Sequence, residues 1–261
     1  MPDTITITRD ARGVATLTLD RADKHNALSA RMIAELTQAA AELGADAGVR
    51  VVVLTGAGRS FCAGGDLGGM KAQMAAPAAE RAAGARTLAE MLQALNTLPK
   101  PLIGRLQGQA FGGGVGLACV CDVAVGVEAA KFGLTEVRLG LIPATIGPYV
   151  VARMGEAAAR RVFFSGRVFG AAEAVELGIL ARAVAAADLD AAVEAEVAPY
   201  LAAAPGAVAA GKRLVRTLGP AIGEAAIDAS VEALTGVWED PESAEGIAAF
   251  FEKRRPGWLV E

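Results

Sequence analysis

The sequence predicts an α/β fold, because segments with the hydrophobic pattern of strands alternate along the chain with segments that have the pattern of helices. Residues 4–8 and 14–19 alternate between apolar and polar side chains and flank a short turn, which is typical of a β-hairpin. Residues 49–54 form a continuous apolar run, which is typical of a strand covered on both faces. The 261-residue chain is 53% hydrophobic, which is enough for a sizeable core.

The next elements follow the hairpin in order. Ser29 is a good N-cap, and apolar residues at helical spacing continue from it to Gly44, so we predict a helix there. A long Ala-rich helix is predicted from about residue 77 to 98, and another strand begins near Lys100. The apolar run 115–125 comes after a group of glycines and predicts a buried helix followed by a strand.

After about residue 157 the sequence predicts helices alone. The segments with helical spacing are 171–177, 189–201, 207–218 and 222–234. We therefore expect a helical region at the end of the chain, with enough apolar positions to make subunit association plausible. The small-residue stretch 75–85 fits either a mobile cover over a site or a plain surface helix.

Composition and charge exclude several classes of protein. The formal net charge is −4, so no uniform basic field attracts nucleic acid. The first residues lack the pattern of an export signal, and no segment reaches ~20 uninterrupted apolar residues. We therefore expect a cytoplasmic protein that binds neither nucleic acid nor membrane. The cysteines Cys62, Cys119 and Cys121 are expected to be buried free thiols.

Several familiar active sites lack their parts in this sequence. His25 is the only histidine, and no Gly-x-Ser-x-Gly motif is present, so a serine hydrolase triad is excluded. No group of Cys, His, Asp or Glu has the spacing of a metal site, and we expect none. Residues 206–212 match the start of a phosphate-binding P-loop, but Arg213 replaces the Ser or Thr that would hold Mg²⁺. We interpret this match as a coincidence on an Ala-rich helix.

Two glycine-rich loops remain as the best candidates for a site. Gly112, Gly113 and Gly114 precede the buried helix, whose first N–H groups have no intrahelical partner. Residues 60–67 offer a second set of small residues after the strand at 49–54. Each loop can direct a backbone N–H at the same oxygen, as in an oxyanion hole. Glu136 is the candidate carboxylate, since its mostly apolar segment favours a raised pKa.

Segments across nearly the whole chain, taken in order, resemble the enoyl-CoA hydratase/isomerase (crotonase) superfamily. These segments are Arg21 with 26–28, then 61–67, 108–114, 121–122, 132–143 and 245–258. The resemblance implies a spiral of ββα units in residues 1–200 and a helical oligomerisation region in residues 201–261. It also implies a homo-oligomer, either a trimer or a dimer of trimers.

The same resemblance implies roles for individual residues. The carbonyl of an acyl-CoA thioester is expected to bind between the N–H groups of Gly65 and Gly113, with Glu136 as the acid/base. No cofactor is implied, because the CoA thioester is the substrate. The implied CoA-binding residues are Lys24, His25, Ala63, Gly64, Gly65, Asp66, Leu67, Gly113 and Lys253. For Lys24, His25 and Lys253 a solvated side chain is the alternative, and Asp66 and Asp122 are expected to be mainly structural.

The sequence departs from the family pattern at Gly116. Typical hydratases of the family use two glutamates around one water, and the first of them corresponds to Gly116, while Glu136 matches the second. A glycine cannot position water or transfer a proton, but it is expected to free volume for a branched or carboxylated acyl chain. Arg138 either pairs with a carboxylate of such a chain or lies at the surface.

Three functions stay open. Residues 113–117 and 136–146 resemble bacterial 3-methylglutaconyl-CoA hydratases of leucine breakdown, so we prefer hydration with Glu136 as the single acid/base. A Δ3-Δ2 enoyl-CoA isomerase needs only one glutamate and is the first alternative. A non-catalytic acyl-CoA-binding homologue is the second.

Overall fold

The computed structural model describes residues 3–259 and confirms the α/β prediction. The strands are β1 (Ile5–Arg9), β2 (Val14–Leu19), β3 (Val51–Gly56), β4 (Ser60–Cys62), β5 (Leu102–Leu106), β6 (Gln109–Phe111), β7 (Val123–Val127), β8 (Lys131–Gly133), β9 (Val168–Gly170) and β10 (Arg182–Val184). The helices are α1 (Ala30–Ala45), α2 (Leu67–Ala75), α3 (Ala78–Asn96), α4 (Gly113–Val120), α5 (Gly147–Met154), α6 (Glu156–Ala159), α7 (Ala171–Glu176), α8 (Leu189–Ala202), α9 (Pro205–Leu218), α10 (Glu224–Trp238) and α11 (Pro241–Glu252).

The strands form two sheets. The larger sheet has the order β1-β2-β3-β5-β7-β10, in which the predicted hairpin β1–β2 is antiparallel and the later pairs are parallel. The smaller sheet has the order β4-β6-β8-β9. Its first three strands run parallel, and β9 is antiparallel to β8. Because the parallel strands need crossover connections, the helices lie between them in sequence.

The predicted helices near the N-terminus are confirmed with small shifts in their bounds. The Ser29 hydroxyl accepts a hydrogen bond of 3.2 Å from the Met32 N–H, so Ser29 is the N-cap of α1. Helix α3 includes most of residues 75–85, as the surface-helix alternative predicted. The predicted strand and helix around residues 49–54 and 115–125 correspond to β3, α4 and β7, and most of their side chains are buried.

The prediction of helices alone after residue 157 is wrong, because β9 and β10 lie in that region. Each strand has three residues, too few to show a period of two in the sequence. Their place is set by partners far away in the chain: β10 pairs with β7 and β9 pairs with β8. The later helices α7 to α10 lie close to their predicted positions.

The three cysteines are buried, and so are apolar side chains through which the C-terminal region packs against the rest of the protein. Cys62, Cys119 and Cys121 are buried free thiols, as predicted, and burial raises the pKa of each to about 12. Helix α10 packs Ile227 and Val231 against Ala85 and Ala89 of α3. Between residues 3 and 259, no helix combines the length and apolar character needed to cross a membrane.

Candidate active site

The candidate site lies where three parallel strands of the smaller sheet end. The loop with Gly65 follows β4, α4 with Gly113 at its start follows β6, and Glu136 comes shortly after β8. In this sheet β6 pairs with both β4 and β8. Because the carboxyl ends of neighbouring parallel strands meet at one edge, the three segments come together there. The sequence predicted the loops and the carboxylate but not these short strands.

The first loop is held by backbone hydrogen bonds to Leu28. The Leu28 N–H donates to the Gly64 carbonyl at 2.8 Å, and the Asp66 N–H donates to the Leu28 carbonyl at 3.2 Å. Gly65 lies between these bonds, and its own N–H has no acceptor within residues 3–259. A Cβ placed at Gly65 would meet nothing within 4 Å, so open space borders the backbone here.

The second loop turns into the buried helix α4. Gly112 has a φ of 48°, which favours glycine, and its N–H donates to the Gly133 carbonyl at 2.9 Å. Gly113 is the first residue of α4, and its N–H also lacks an acceptor in the described part of the chain. Every residue of α4 is buried. The positive end of the helix therefore adds to the amide of Gly113 in an environment with little water.

The two loops lie side by side. A Cβ placed at Gly112 or at Gly113 would be 3.8 Å from the Cα of Gly64. Since Gly65 follows Gly64 directly, the two free amides belong to neighbouring pieces of backbone. This arrangement suits the stabilisation of an oxygen on which negative charge develops.

Glu136 begins a short 3-10 turn, Glu136–Leu139, and its carboxylate lies against the second loop. A Cβ at Gly112 would be 2.7 Å from Oε1 of Glu136. Oε2 is buried and accepts no hydrogen bond from residues 3–259. Burial raises the pKa of Glu136 from 4.5 to about 7, although a hydrogen bond with its own backbone N–H opposes this shift. The group is thus suited to exchange protons near neutral pH.

The space next to Gly116 is filled by the protein itself. A Cβ placed at Gly116 would lie 2.6 Å from Cγ2 of Ile146 and 3.6 Å from Cδ1 of Leu92. Ile146 is buried, with 2% of its surface exposed. The expectation that Gly116 frees volume for an acyl chain is therefore wrong, because Ile146 takes up that volume. Arg138 is exposed and lies against the loop at Gly166, with Cγ 3.0 Å from a Cβ placed there.

Of the proposed CoA-binding residues, Lys24 and His25 precede the first loop. Lys24 is exposed, and its ammonium group lies 3.9 Å from the Asp23 carboxylate. His25 is half-buried, and its Nδ1 lies 2.9 Å from the Ser60 hydroxyl. Its carbonyl accepts a hydrogen bond from the Ala63 N–H at 2.9 Å. These contacts tie His25 to the start of the first loop.

Asp66 and Leu67 lie where the first loop becomes α2. The Asp66 carboxylate accepts hydrogen bonds from the N–H groups of Gly68 and Gly69. It also forms an ion pair of 2.8 Å with Arg21, and these contacts agree with a structural role. Arg21 holds the pKa of this carboxyl below its usual range against the opposing effect of burial. Leu67 is 50% exposed at the start of α2.

Lys253 lies apart from this loop in sequence, directly after α11, with a φ of 54°. Helix α11 packs against the turn that begins with Glu136, since a Cβ at Gly140 would collide with the Glu242 carbonyl. This contact lies at the start of α11, whereas Lys253 follows the end of the helix. The adjacent Arg254 is paired with Glu245 at 2.6 Å.

Asn26 is a site-supporting residue to which the sequence analysis gave no role of its own. It is fully buried, and its side-chain amide donates to the carbonyls of Ala57 at 2.9 Å and Ser60 at 2.8 Å. Its Oδ1 accepts from the Arg21 N–H at 2.9 Å. Asn26 thus fixes the segment that leads into Leu28 and the first loop. The backbone of Asn26 is left-handed, with a φ of 56°, and Asn is among the residues that tolerate this region.

The arrangement as a whole has two free amides and one proton-exchanging carboxylate. Within the described residues, no group of three or more His, Cys, Asp or Glu side chains could hold a metal ion. The chemistry that these parts can perform is polarisation of a carbonyl with proton transfer at a neighbouring carbon.

Comparisons with known proteins agree with this chemistry. The family model described as enoyl-CoA hydratase/isomerase matches residues 9–260. A homologue of enoyl-CoA hydratases from Thermus thermophilus is 37% identical over 93% of this chain and 96% of its own. The crystal structure of an enoyl-CoA hydratase from Shewanella pealeana is 38% identical, with a TM-score of 0.81 and coverage of 99% of this chain and 97% of that one. An enoyl-CoA hydratase from Mycobacterium avium is 31% identical, with a TM-score of 0.85, 99% coverage of this chain and 100% of that one.

Proposed function

Because the chain belongs to the enoyl-CoA hydratase/isomerase family, we propose that it is an enoyl-CoA hydratase with Glu136 as its single acid/base. It adds water across the α,β double bond of an enoyl-CoA thioester. The observation that carries the proposal is the carboxylate of Glu136, whose pKa is about 7, placed against the loop that presents the free Gly113 amide.

In the proposed reaction the thioester oxygen binds between the N–H groups of Gly65 and Gly113. Glu136 takes a proton from water while the water oxygen forms its bond to Cβ. The electron pair of the double bond moves to the thioester oxygen, and the resulting enolate is stabilised by the two amides and the positive end of α4. Protonated Glu136 then returns the proton to Cα, so that one H and one OH are added in total.

The surroundings of Gly116 support a mechanism with one carboxylate. A second acid at that position would have to share space with Ile146, which fills it with an apolar side chain. A single glutamate whose pKa lies near neutral pH is partly ionised and partly protonated, so it can act as base and then as acid.

For the acyl group we propose a branched or carboxylated chain, such as 3-methylglutaconyl, and with it a place in leucine breakdown. The support is the resemblance of residues 113–117 and 136–146 to the hydratases of that substrate. The volume beside Gly116 gives no support, because Ile146 occupies it.

An enoyl-CoA isomerase is the second candidate, and the same Ile146 favours it. Moving a double bond requires one base that carries a proton from one carbon to another, and no water has to be positioned. The two functions use the same amides and the same Glu136. Hydration takes the proton from a water whose oxygen adds to Cβ, whereas isomerisation takes the proton from a carbon of the substrate and adds no oxygen.

A panel of acyl-CoA esters separates these functions. We expect the absorbance of the conjugated thioester to fall with crotonyl-CoA and 3-methylglutaconyl-CoA as water adds. Appearance of that absorbance from a 3-enoyl-CoA, without turnover of the conjugated esters, would show isomerisation instead. Tight binding of every ester without any product would favour the non-catalytic homologue.

We also propose that the protein is a cytoplasmic homo-oligomer, a trimer or a dimer of trimers, formed through the helical region 201–261. Helix α9 supports this proposal because Leu214, Val215 and Leu218 on it are 58%, 69% and 78% exposed. Sedimentation velocity measures the number of subunits, and a monomer at micromolar concentration would contradict the proposal.

A further inference from the structure

A cavity lies at the opposite end of α4 from Gly113. It has a volume of about 850 Å³ and is bordered by the end of α4, by α5, by α9 and by the loop that follows α9. Since α4 has eight residues, about 12 Å of helix separate this cavity from the free amide of Gly113. The cavity therefore lies apart from the two free amides of the candidate active site.

The wall of this cavity carries more positive than negative charge. Asp122 is the one carboxylate among the described residues that line it, and it is paired with Lys212 at 2.6 Å and with Arg216 at 3.4 Å. The third cation, Arg153, donates to the carbonyls of Cys121 and Asp122 after the end of α4. One carboxylate therefore faces three cations.

Part of this positive charge is held away from water without full compensation. The Lys212 side chain is 9% exposed, and desolvation lowers the pKa of Lys212 although Asp122 opposes the shift. Desolvation also lowers the pKa of Arg216. The Nε atoms of Arg153 and Arg216 are buried and find no acceptor within residues 3–259. An added anion would offset the unbalanced charge at this wall.

The P-loop-like match at 206–212 does not explain the cluster. These residues lie inside α9, so they form no phosphate-binding loop, and the match is a coincidence as predicted. Lys212 instead reaches Asp122 and the Lys100 carbonyl, at 3.0 Å, from the face of a helix.

The remainder of the wall is largely apolar or aromatic. Val208, Pro220 and Ile222 line it together with the ring of Tyr149. A bare inorganic ion would leave most of an 850 Å³ cavity unused, whereas a molecule with an apolar body would cover this surface.

We propose that this cavity binds a small amphiphilic oxyanion, a carboxylate or phosphate with an apolar body, whose charged end pairs with Arg216 and Lys212. The charged end neutralises the excess cation beside Asp122, and the body packs on the apolar residues of α9 and the following loop. The ligand is separate from the acyl-CoA of the reaction.

Calorimetric titration of the intact protein with acetate, butyrate and hexanoate, at constant ionic strength, tests this site, with inorganic phosphate as a bare oxyanion. We expect the affinity to rise about fourfold for each methylene that is buried. Arg216→Gln should weaken hexanoate binding at least about tenfold, since it removes a charged hydrogen-bond donor. Arg213→Gln removes the same charge from an exposed position of the same helix and should leave the affinity unchanged.

A second pair of variants tests the volume rather than the charge. Gly211 lines the cavity and Gly206 does not, and a Cβ at either would meet nothing within 4 Å. Gly211→Leu should weaken hexanoate binding, while Gly206→Leu should not. Hexanoate bound in the acyl site would respond equally in all four variants. Equal binding in wild type, Arg216→Gln and Gly211→Leu, or no binding to the wild-type protein, would overturn the proposal.

Discussion

The two ends of α4 present carboxylates in opposite situations. Near the first residue, Gly113, Glu136 has one buried oxygen without a hydrogen-bond partner among the described residues, and its pKa is raised to about 7. Just beyond the last residue, Asp122 is ion-paired with Lys212 and Arg216. The first carboxylate is suited to proton transfer at a cost in stability, whereas the second is held in place by its ion pairs.

The helix itself explains part of this difference. Its positive N-terminal end is directed at the free amide of Gly113, where negative charge would develop on a substrate. Its negative C-terminal end attracts cations, and Arg153 donates to the carbonyls there.

The largest effect is expected at the first end. Glu136→Gln should lower the turnover number about 10³-fold, which is about 4 kcal/mol in activation free energy, because the amide cannot exchange the proton. In the wild-type enzyme the base must be ionised, so kcat/KM should rise with pH through about 7. Steady-state kinetics with the ester that the panel identifies measures both.

The matched control for this change is Glu232→Gln, which alters an exposed carboxylate on α10. It should leave turnover unchanged. An unchanged turnover number in Glu136→Gln would remove Glu136 from the mechanism.

The next effect is expected at the second end. Asp122→Asn should lower the free energy of unfolding by about 3 kcal/mol, because it leaves the buried Lys212 without its charge partner. Urea denaturation measures the change. Asp190→Asn is the control, since the Asp190 side chain is 81% exposed in its pair with Arg105 and should cost at most about 1 kcal/mol. Equal losses in the two variants would mean that the Asp122 cluster is no more than a surface ion pair.

Glu136→Gln is also expected to change the free energy of unfolding, in the opposite direction to Asp122→Asn. A carboxyl whose pKa rises from 4.5 to about 7 on folding loses about 3 kcal/mol of stability as the pH increases through that range, at about 1.4 kcal/mol per unit. Because the residue is partly exposed, we expect about 2 kcal/mol. Glu136→Gln should therefore be more stable than wild type at pH 8 and about equal to it at pH 4.

This measurement needs no substrate, so it separates the environment of Glu136 from its chemical role. Unfolding free energies of wild type, Glu136→Gln and Glu232→Gln at both pH values provide the comparison. A difference between wild type and Glu136→Gln that does not change with pH would contradict the raised pKa.

The contrast between the ends of α4 also shows what the sequence could predict. The glycine loops and Glu136 were found because special backbone positions and a carboxylate in an apolar segment leave a local pattern. The short strands β4, β6 and β8, which bring these parts together, were missed, since three residues are too few for a hydrophobic period.

Contacts between distant segments could not be predicted from the sequence, for a different reason. Nothing near Gly116 shows that Ile146, 30 residues later, would fill the adjacent space. Likewise nothing near Asp122 shows that Lys212 and Arg216 on α9 would surround it. Such pairs depend on the tertiary arrangement, and a pattern along one segment carries no information about them.

The smallest effect concerns the space beside Gly116, between the two ends. Gly116→Ala should destabilise the protein by about 1 kcal/mol, because the new methyl group would lie 2.6 Å from Cγ2 of Ile146 and overpacking outweighs the higher helix propensity of alanine. In the background Ile146→Ala the same change should cost less, because the contact with Cγ2 is removed and only the 3.0 Å approach to Cβ of residue 146 remains. The coupling energy from the four proteins, measured by urea denaturation, isolates the contact from the cost of the cavity.

The same pair of positions tests why the site has one carboxylate: either Ile146 excludes a second acid, or only the glycine at position 116 accounts for its absence. If Ile146 excludes a second acid, Gly116→Glu alone should not raise hydration of crotonyl-CoA, and only the double variant with Ile146→Ala has room for the added side chain. Zero coupling energy between Gly116→Ala and Ile146→Ala would show that the Ile146 side chain moves aside at little cost in free energy. The absence of a second acid would then follow from Gly116 alone, and Gly116→Glu would suffice to test two-carboxylate hydration.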